Sequence, residues 1–406
     1  MTMPLWQRVH HVDTDPGLGW AKDAEAALDA PIDGWAPGQD GRDAGVDWAA
    51  VPGDRSGDWR THTPSCVRLE DGGYRMYYTE SGPALAWSQS KGRILSARSE
   101  DGSRWTPEPG VRLAPHSDGA GLQVTSPELV PALAADGVTL GHRLYYEAIP
   151  EAMGADADAT TIRSAFSTDG GLTFELEPGV RFGQPGQSVE NFGSARVVYL
   201  PEGTGATCRM FLYLRVADEP DGYGLLGAEQ DTDGGSSSNA KLAASDHASV
   251  YHIVSATCTD GIGLVFEPDP GIRIPQLSGA LATFGGLLTY TPDVMYCAEE
   301  GYWRMYFSAW QQDPGADYPS GYILSATSED CINFVLSNGG QPVMYPGGKW
   351  DRIKCSNPSV IALPGGRYRI FIEACDGSAD GGFGVWRVSS ATSTAQGAGI
   401  RHGGRL

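Results

Sequence analysis

Two acidic residues, Glu128 and Asp293, each stand directly after a proline in a short apolar string, SPELV around Pro127 and TPDVM around Pro292. A third string of the same kind, SARVV around Ala195, carries Arg196 at that place. Side chains alternate along a strand, so the positions flanking the proline share a face. That face presents Thr63 and Ser65, Ser126 and Glu128, Ser194 and Arg196, Thr291 and Asp293, and Asn357 and Ser359. If it lines one cavity, two carboxylates meet an arginine there. Carboxylates with separated pKa values are what glycosidic bond cleavage needs, one as acid and one as base or nucleophile. The competing reading is that both acids pair with Arg196 and merely seal the cavity.

Further candidates surround this set. His62 precedes one string, and Glu190 precedes another within VENFGSAR. The segment HHVDTDPG offers His10, His11, Asp13 and Asp15 as base or metal ligands, although an Asx-turn before Pro16 explains it as well. Trp87, Trp310 and Tyr318 fall in long connections, where an exposed ring would stack on a sugar. Trp59 and Trp350 precede strands and could do likewise. The catalytic candidates are therefore Glu128, Asp293, Glu190 and Asp15, and the substrate-binding candidates are His62, Arg196, Asn357, Trp87 and Trp310. No cofactor motif is present. A structural calcium, in the cavity or in the N-terminal segment, stays open.

The elements that must position these residues come from a repeat. The string Ile/Val-x-Ser-Ala-x-Ser/Cys starts at Ile94, Ile162, Ile253, Ile323 and Val388. Arginine followed by Met, Leu or Ile and then an aromatic starts at Arg75, Arg143, Arg209, Arg304 and Arg369. The proline-marked strings form the third set, and GVRL at Gly110, GVRF at Gly179, GIRI at Gly271 and PVMY at Pro342 a fourth. Each reads as a short strand. Four strands per unit and five units predict an all-β, five-bladed β-propeller of four-stranded antiparallel sheets. The whole chain, 1–406, is read as one domain. Its blades span about 60–115, 116–184, 185–276, 277–347 and 348–406. Segment 1–59 is a candidate for closing the ring. The fifth blade needs a fourth strand from either the region of Val9 or GIRHG near Ile400.

Between the third and fourth strands recurs Ser-x-Asp-Gly-x-x-Trp/Phe, as in SEDGSRW from Ser99 and STDGGLTF from Ser167. The latter resembles the Asp-box of sialidase-type propellers. Asp101, Asp169, Asp260 and Asp330 read as turn caps, not catalysts. Connections between second and third strands are long, at Thr79–Arg93, Glu147–Thr161, Leu214–His252, Ser308–Tyr322 and Glu373–Val385. Long loops on one end of a rigid scaffold mark the working mouth.

Composition bounds the partners. The 29 basic and 50 acidic residues give a net charge of −21, which disfavours nucleic acid and anionic membranes. A carbohydrate or other small molecule is the expected partner. The seven cysteines form no Cys-x-x-Cys pair and read as buried thiols. No apolar leader or membrane-length apolar run occurs, so the chain reads as cytoplasmic.

Five such units, with a proline-marked first strand and an aromatic second strand, resemble the five-bladed glycoside hydrolases over about residues 60–393. That superfamily includes arabinanases, β-xylosidases, invertases, levansucrases and mannoside phosphorylases. It typically places Asp before the proline of blade one, a second Asp in blade two, and Glu before Gly-Pro in blade three. Thr63, Ser126 and Ser194 occupy those places here. TDPGLG from Thr14 echoes the invertase Asn-Asp-Pro-Asn-Gly motif, with Asp15 at the nucleophile's place. The leading expectation is a glycoside hydrolase-like enzyme. A lyase, isomerase or cyclase on the same scaffold and a non-catalytic glycan-binding propeller are the alternatives.

Overall fold

A computed structural model describes residues 15, 17–29, 60–82, 91–114, 123–149, 160–183, 190–201, 206–216, 250–277, 288–298, 300–311, 320–364, 367–377 and 385–394. Among them the structure is all-β, broken only by a 3-10 turn at Asn338–Gly340. The first strand is β1 (Trp20–Lys22). Unit one comprises β2 (Arg60–Arg68), β3 (Tyr74–Gly82), β4 (Lys91–Ser99) and β5 (Thr106–Pro107). Unit two has β6 (Gln123–Leu133), β7 (Leu140–Ile149), β8 (Thr161–Ser167) and β9 (Glu175–Leu176). Unit three has β10 (Glu190–Tyr199), β11 (Cys208–Val216), β12 (Val250–Cys258) and β13 (Phe266–Pro268). Unit four has β14 (Leu288–Cys297), β15 (Tyr302–Gln311), β16 (Ser320–Ser328) and β17 (Val335–Leu336). Unit five has β18 (Lys354–Leu363), β19 (Arg367–Cys375) and β20 (Trp386–Ser393). Within each unit the strands pair antiparallel in chain order.

The fourth strand of unit five is β1, which runs antiparallel to β20 with Trp20 opposite Ser393. The regions of Val9 and Ile400 lie outside the described residues. The other fourth strands are shorter and earlier than the sequence suggests. They follow the turn directly, and GVRL, GVRF, GIRI and PVMY retain only single bridges such as Ile94 to Leu113. Gly110, Gly179 and Gly271, at φ 88°, 89° and 81°, each follow a proline or glutamate-proline step and break those three strands.

Apolar residues fill the spaces between units. Tyr77, Ile94 and Leu113 pack on Val124, Leu144 and Tyr146 of unit two. Phe371 and Val388 of unit five pack on Met76 and Tyr78 of unit one, together with Ala27 and Leu28. An arginine in the first four residues of each second strand pairs with a carboxylate: Arg75–Glu108 (2.7 Å), Arg143–Glu177 (2.6 Å), Arg209–Asp269 (2.9 Å), Arg304–Asp15 (2.6 Å) and Arg369–Asp23 (3.2 Å). Four of the five also donate to a carbonyl in the tight turn of another unit: Gly170, Ile262, Cys331 and Gly102. Each of those turns is capped by its aspartate, as where Asp101 Oδ1 accepts from Ser103 and Arg104 N–H. For Arg304 the counterpart of that turn is the N-terminal segment. Tyr306 donates to Gly17 O as Tyr77 donates to Gly171 O, and a Cβ on Gly17 would overlap Arg304 and the Tyr306 hydroxyl. All seven cysteines are buried, and none is in a disulfide. No helix among the described residues is long and apolar enough to cross a membrane.

Every first strand carries one irregularity at the same place. Thr63, Ser126, Ser194, Thr291 and Asn357, each just before the proline or its counterpart, have φ of 48°, 52°, 50°, 37° and 47°. Register slips there in all five units, between His62 and Ser65 in the first. A left-handed non-glycine residue costs of order 1–2 kcal/mol, so something must hold these five. In four units a side chain from the second strand of another unit, or of the same fifth-to-first junction, accepts the strained residue's N–H. Thr79 Oγ1 takes Ser126 N (3.1 Å), Glu147 Oε2 takes Ser194 N (3.1 Å), Ser308 Oγ takes Asn357 N (2.8 Å), and Glu373 Oε2 takes Thr63 N (3.3 Å).

Candidate active site

The irregular first strands create two levels. The deeper level contains the residues two past the strained position: Ser65, Glu128, Arg196, Asp293 and Ser359. All are at most 2 % exposed. Arg196 Nε lies 3.8 Å from Glu128 Oε2 and 3.7 Å from Asp293 Oδ1. Its Nη1 and Nη2 donate to Pro127 O (3.1 Å) and Pro64 O (3.0 Å). Ser65 Oγ donates to Glu128 (2.7 Å), and Val360 N–H donates to Asp293 (2.8 Å). These contacts are all internal to the protein, which makes this level a plug.

The level nearer the long connections is built differently. The residues on the second strands that pair with the position just before each strained one are Thr79, Glu147, Tyr213, Ser308 and Glu373. The sequence pattern places all but Tyr213 at the starts of loops. β7 and β19 in fact run two residues beyond Glu147 and Glu373, so both glutamates stand on rigid strands at the loop end. They lie two residues further along their strands than the deep level, roughly 7 Å.

Glu147 is buried. It accepts from Ser194 N–H (3.1 Å), Ser126 Oγ (3.1 Å) and the Tyr213 hydroxyl. Burial outweighs these bonds and pushes its carboxyl up to about 7. Gly193 makes room for the arrangement, since a Cβ there would lie 2.5 Å from both Glu147 Oε2 and Tyr213. Glu373 is equally buried but sits among donors. Asn357 Nδ2 (2.6 Å), Thr63 N–H (3.3 Å) and Ser356 Oγ (3.3 Å) all reach it. Burial raises its carboxyl, and the Lys354 ammonium is the strongest opposing influence, ahead of those three hydrogen bonds. His62 approaches Glu373 to 3.7 Å and bonds Ser81 Oγ (2.8 Å). Burial and Arg60 push the imidazole down to about 3, so it is neutral.

The two glutamates are joined in two ways. A hydroxyl chain runs from Thr63 through Thr79 (2.6 Å) to Thr125 (3.1 Å), and Ser126 N–H also meets Thr79 Oγ1. On the other side runs an aromatic arc. Tyr213 stacks on Tyr290 at 4.1 Å between centroids, and Tyr290 on Trp310 at 4.7 Å. Lys354 Nζ then lies 3.6 Å from the Trp310 ring centre and 5.4 Å from that of Trp386. Tyr290 feels the charge of both Glu147 and Glu373. Two dry polar atoms on the arc, Asn357 Oδ1 and Trp310 Nε1, have no hydrogen-bond partner among the described residues.

The structure thus brings His62 and Asn357 to Glu373 and Trp310 to Lys354, and places Glu128, Asp293 and Arg196 in the plug. Asp15 is far from this site. It caps Gly17 N–H (2.8 Å) and pairs with Arg304, four residues before Ser308 on β15. Glu190 opens β10, but its side chain, like Trp87 and Tyr318, lies outside the described residues. Among the described residues no group of three or more His, Cys, Asp or Glu could hold a metal ion. A cavity of about 460 Å³ does lie at the opposite, tight-turn end, between units three and four, against Arg209, Thr257 and Asp330. Glu147 and Glu373 had a signal in the sequence. The repeat that begins RLYY and RIFI continues as RLYYEA and RIFIEA, while the corresponding unit-one and unit-four strings read RMYYTE and RMYFSA.

The strands and their turns have the fold of the propeller glycoside hydrolases. No protein-family model and no curated protein matches the chain. Among solved structures, a BT0996 complex with RGII shares the fold with a TM-score of 0.62 at 15 % identity, covering 96 % of this chain and 97 % of that one. A thermostable family-43 glycoside hydrolase does so at 0.55 and 14 %, over 86 % and 96 %. An N-acetylgalactosamine deacetylase from F. plautii, in complex with blood group B trisaccharide, does so at 0.53 and 16 %, over 90 % and 95 %.

Proposed function

We propose that the chain is a five-bladed propeller enzyme that cleaves a glycosidic bond, with Glu147 as general acid and Glu373 as base or nucleophile. The observation that carries this reading is the unequal surroundings of two buried glutamates on one level. Glu147 has neutral donors only and holds its proton to about 7. Glu373 has an ammonium and three further donors that favour its anion. Such a pair can protonate a leaving oxygen and supply an anion to the anomeric carbon, or to a water attacking it. The aromatic arc between them offers faces on which a sugar ring stacks, and Asn357 Oδ1 and Trp310 Nε1 offer one acceptor and one donor for its hydroxyls.

Five units, with β2 packed against both β6 and β18, support the five-bladed count. The β1–β20 pair supports closure by the N-terminal segment. On this reading Glu128, Arg196 and Asp293 brace the scaffold rather than react. The test is a panel of aryl glycosides and oligosaccharides assayed with wild type, Glu147→Gln and Glu373→Gln. Turnover that falls at least about 100-fold in both variants supports the assignment. Turnover retained in either one removes that residue from it.

A further inference from the structure

Lys354 has a setting that neither the fold nor the acid–base pair by itself requires. It opens β18, is 2 % exposed, and carries its ammonium against the faces of Trp310 and Trp386. An ammonium stripped of water is costly unless something replaces the hydration, and two indole faces do so only in part. The register shows what completes it. Lys354 pairs with Cys375, and Ser356, two residues on, pairs with Glu373, so Lys354 and Glu373 are diagonal neighbours on one sheet face. The lysine's own strand also supplies Ser356 and Asn357, both bonded to that carboxylate.

We propose that Lys354 is the positioning residue of Glu373: its ammonium, clamped between two indole faces, keeps the carboxylate charged and aimed while the aromatic walls exclude water from the pair. This rests on the glycosidase reading for its purpose, but not for its physics. The charged or titratable groups that face the pair are Arg60 and His62 on β2, Cys375 on β19 and Tyr290 on β14. Burial lowers the Lys354 ammonium to about 8, Glu373 opposes that, and Arg60 adds a smaller repulsion.

Isotope-edited infrared titration tests this on the intact chain labelled with ¹³C-glutamate, with the Glu373 band assigned by its loss in Glu373→Gln. In Lys354→Met the Glu373 midpoint should rise by at least about one pH unit, since an opposite charge at close range is worth 1–3 units. Lys354→Arg should recover most of that shift. A folded Lys354→Met with an unchanged midpoint overturns the proposal. Should that variant not fold, wild type answers alone: the ionised Glu373 band should shift again with a midpoint near the lysine's own value of about 8. A band insensitive to that titration overturns the proposal equally. Neither readout uses substrate, so an enzyme inactive on every glycoside would sink the glycosidase reading and leave the Lys354–Glu373 coupling standing or falling by itself.

Discussion

Glu147 carries the sharpest conflict between stability and chemistry. Its folded pKa, about 7, lies above the ordinary 4.5 of an exposed glutamate. The stability linked to its proton is complete below about pH 4.5 and is lost as pH rises through about 7. Glu147→Gln should therefore melt higher than wild type at pH 8, melt alike at pH 4, and have lost turnover. Calorimetry at the two pH values checks this, and a variant less stable at pH 8 would contradict it. The same pKa sets the alkaline limb of activity. In wild type kcat/KM should fall as pH rises through about 7. The buried arginine of the plug predicts the opposite outcome for Glu128. Removing the Glu128 charge leaves Arg196 paired with Asp293 alone and weakens the Ser65 bond, so Glu128→Gln should lose about 1–3 kcal/mol in urea denaturation. Its kcat should stay within about tenfold of wild type.

At the scale of elements, the kink in each first strand decides what faces where. Ser126 at φ 52° tolerates its conformation because Thr79 holds its N–H and Glu147 accepts from its hydroxyl. Ser126→Val places a β-branched, apolar side chain there and should cost at least about 2 kcal/mol. Ser126→Asn, a residue that accepts positive φ, should cost less. Urea midpoints of the two variants check the order. The kink also explains what could be read beforehand. Repeated strings revealed the strands, because five copies of one pattern leave little ambiguity. They also placed Arg196 beside Glu128 and Asp293, since residues after the kink keep their parity. The reactive level stayed hidden for two reasons. Glu147 and Glu373 stand where the sequence pattern fades into loop, although their strands run two residues further. Their environment, moreover, is made by residues far apart in the chain: Lys354, Thr63 and Ser194. His62, Asn357 and Trp310 were legible as candidates, but nothing local to them named Glu373.

At the scale of the molecule, the arginines form a system. Arg75 and Arg112 both grip the turn of unit two, at Gly170 and Leu172. Arg143 and Arg181 grip that of unit three, at Ile262 and Leu264. At Arg304 the N-terminal segment takes over the role, with Asp15 as the carboxylate. Asp15→Ala should therefore strand a buried guanidinium and cost about 3 kcal/mol, although Asp15 lies far from the reactive level. Activity at ambient temperature should persist while the melting temperature falls. A variant that loses turnover without losing stability would return Asp15 to the catalytic shortlist.

The hydrogen bonds that steady four of the kinks come from three residue types. A threonine makes the bond at Ser126, a serine at Asn357, and glutamates at Ser194 and Thr63. Any side chain with an oxygen at the right reach satisfies the backbone, so the scaffold is indifferent to whether that oxygen is also reactive. The four positions that make this bond are alternative sockets for an oxygen. A carboxylate moved from one socket to another should therefore leave the fold intact while changing the distance between acid and base. Exchanging Thr79 and Glu147, as a double replacement, asks whether the chemistry follows the socket.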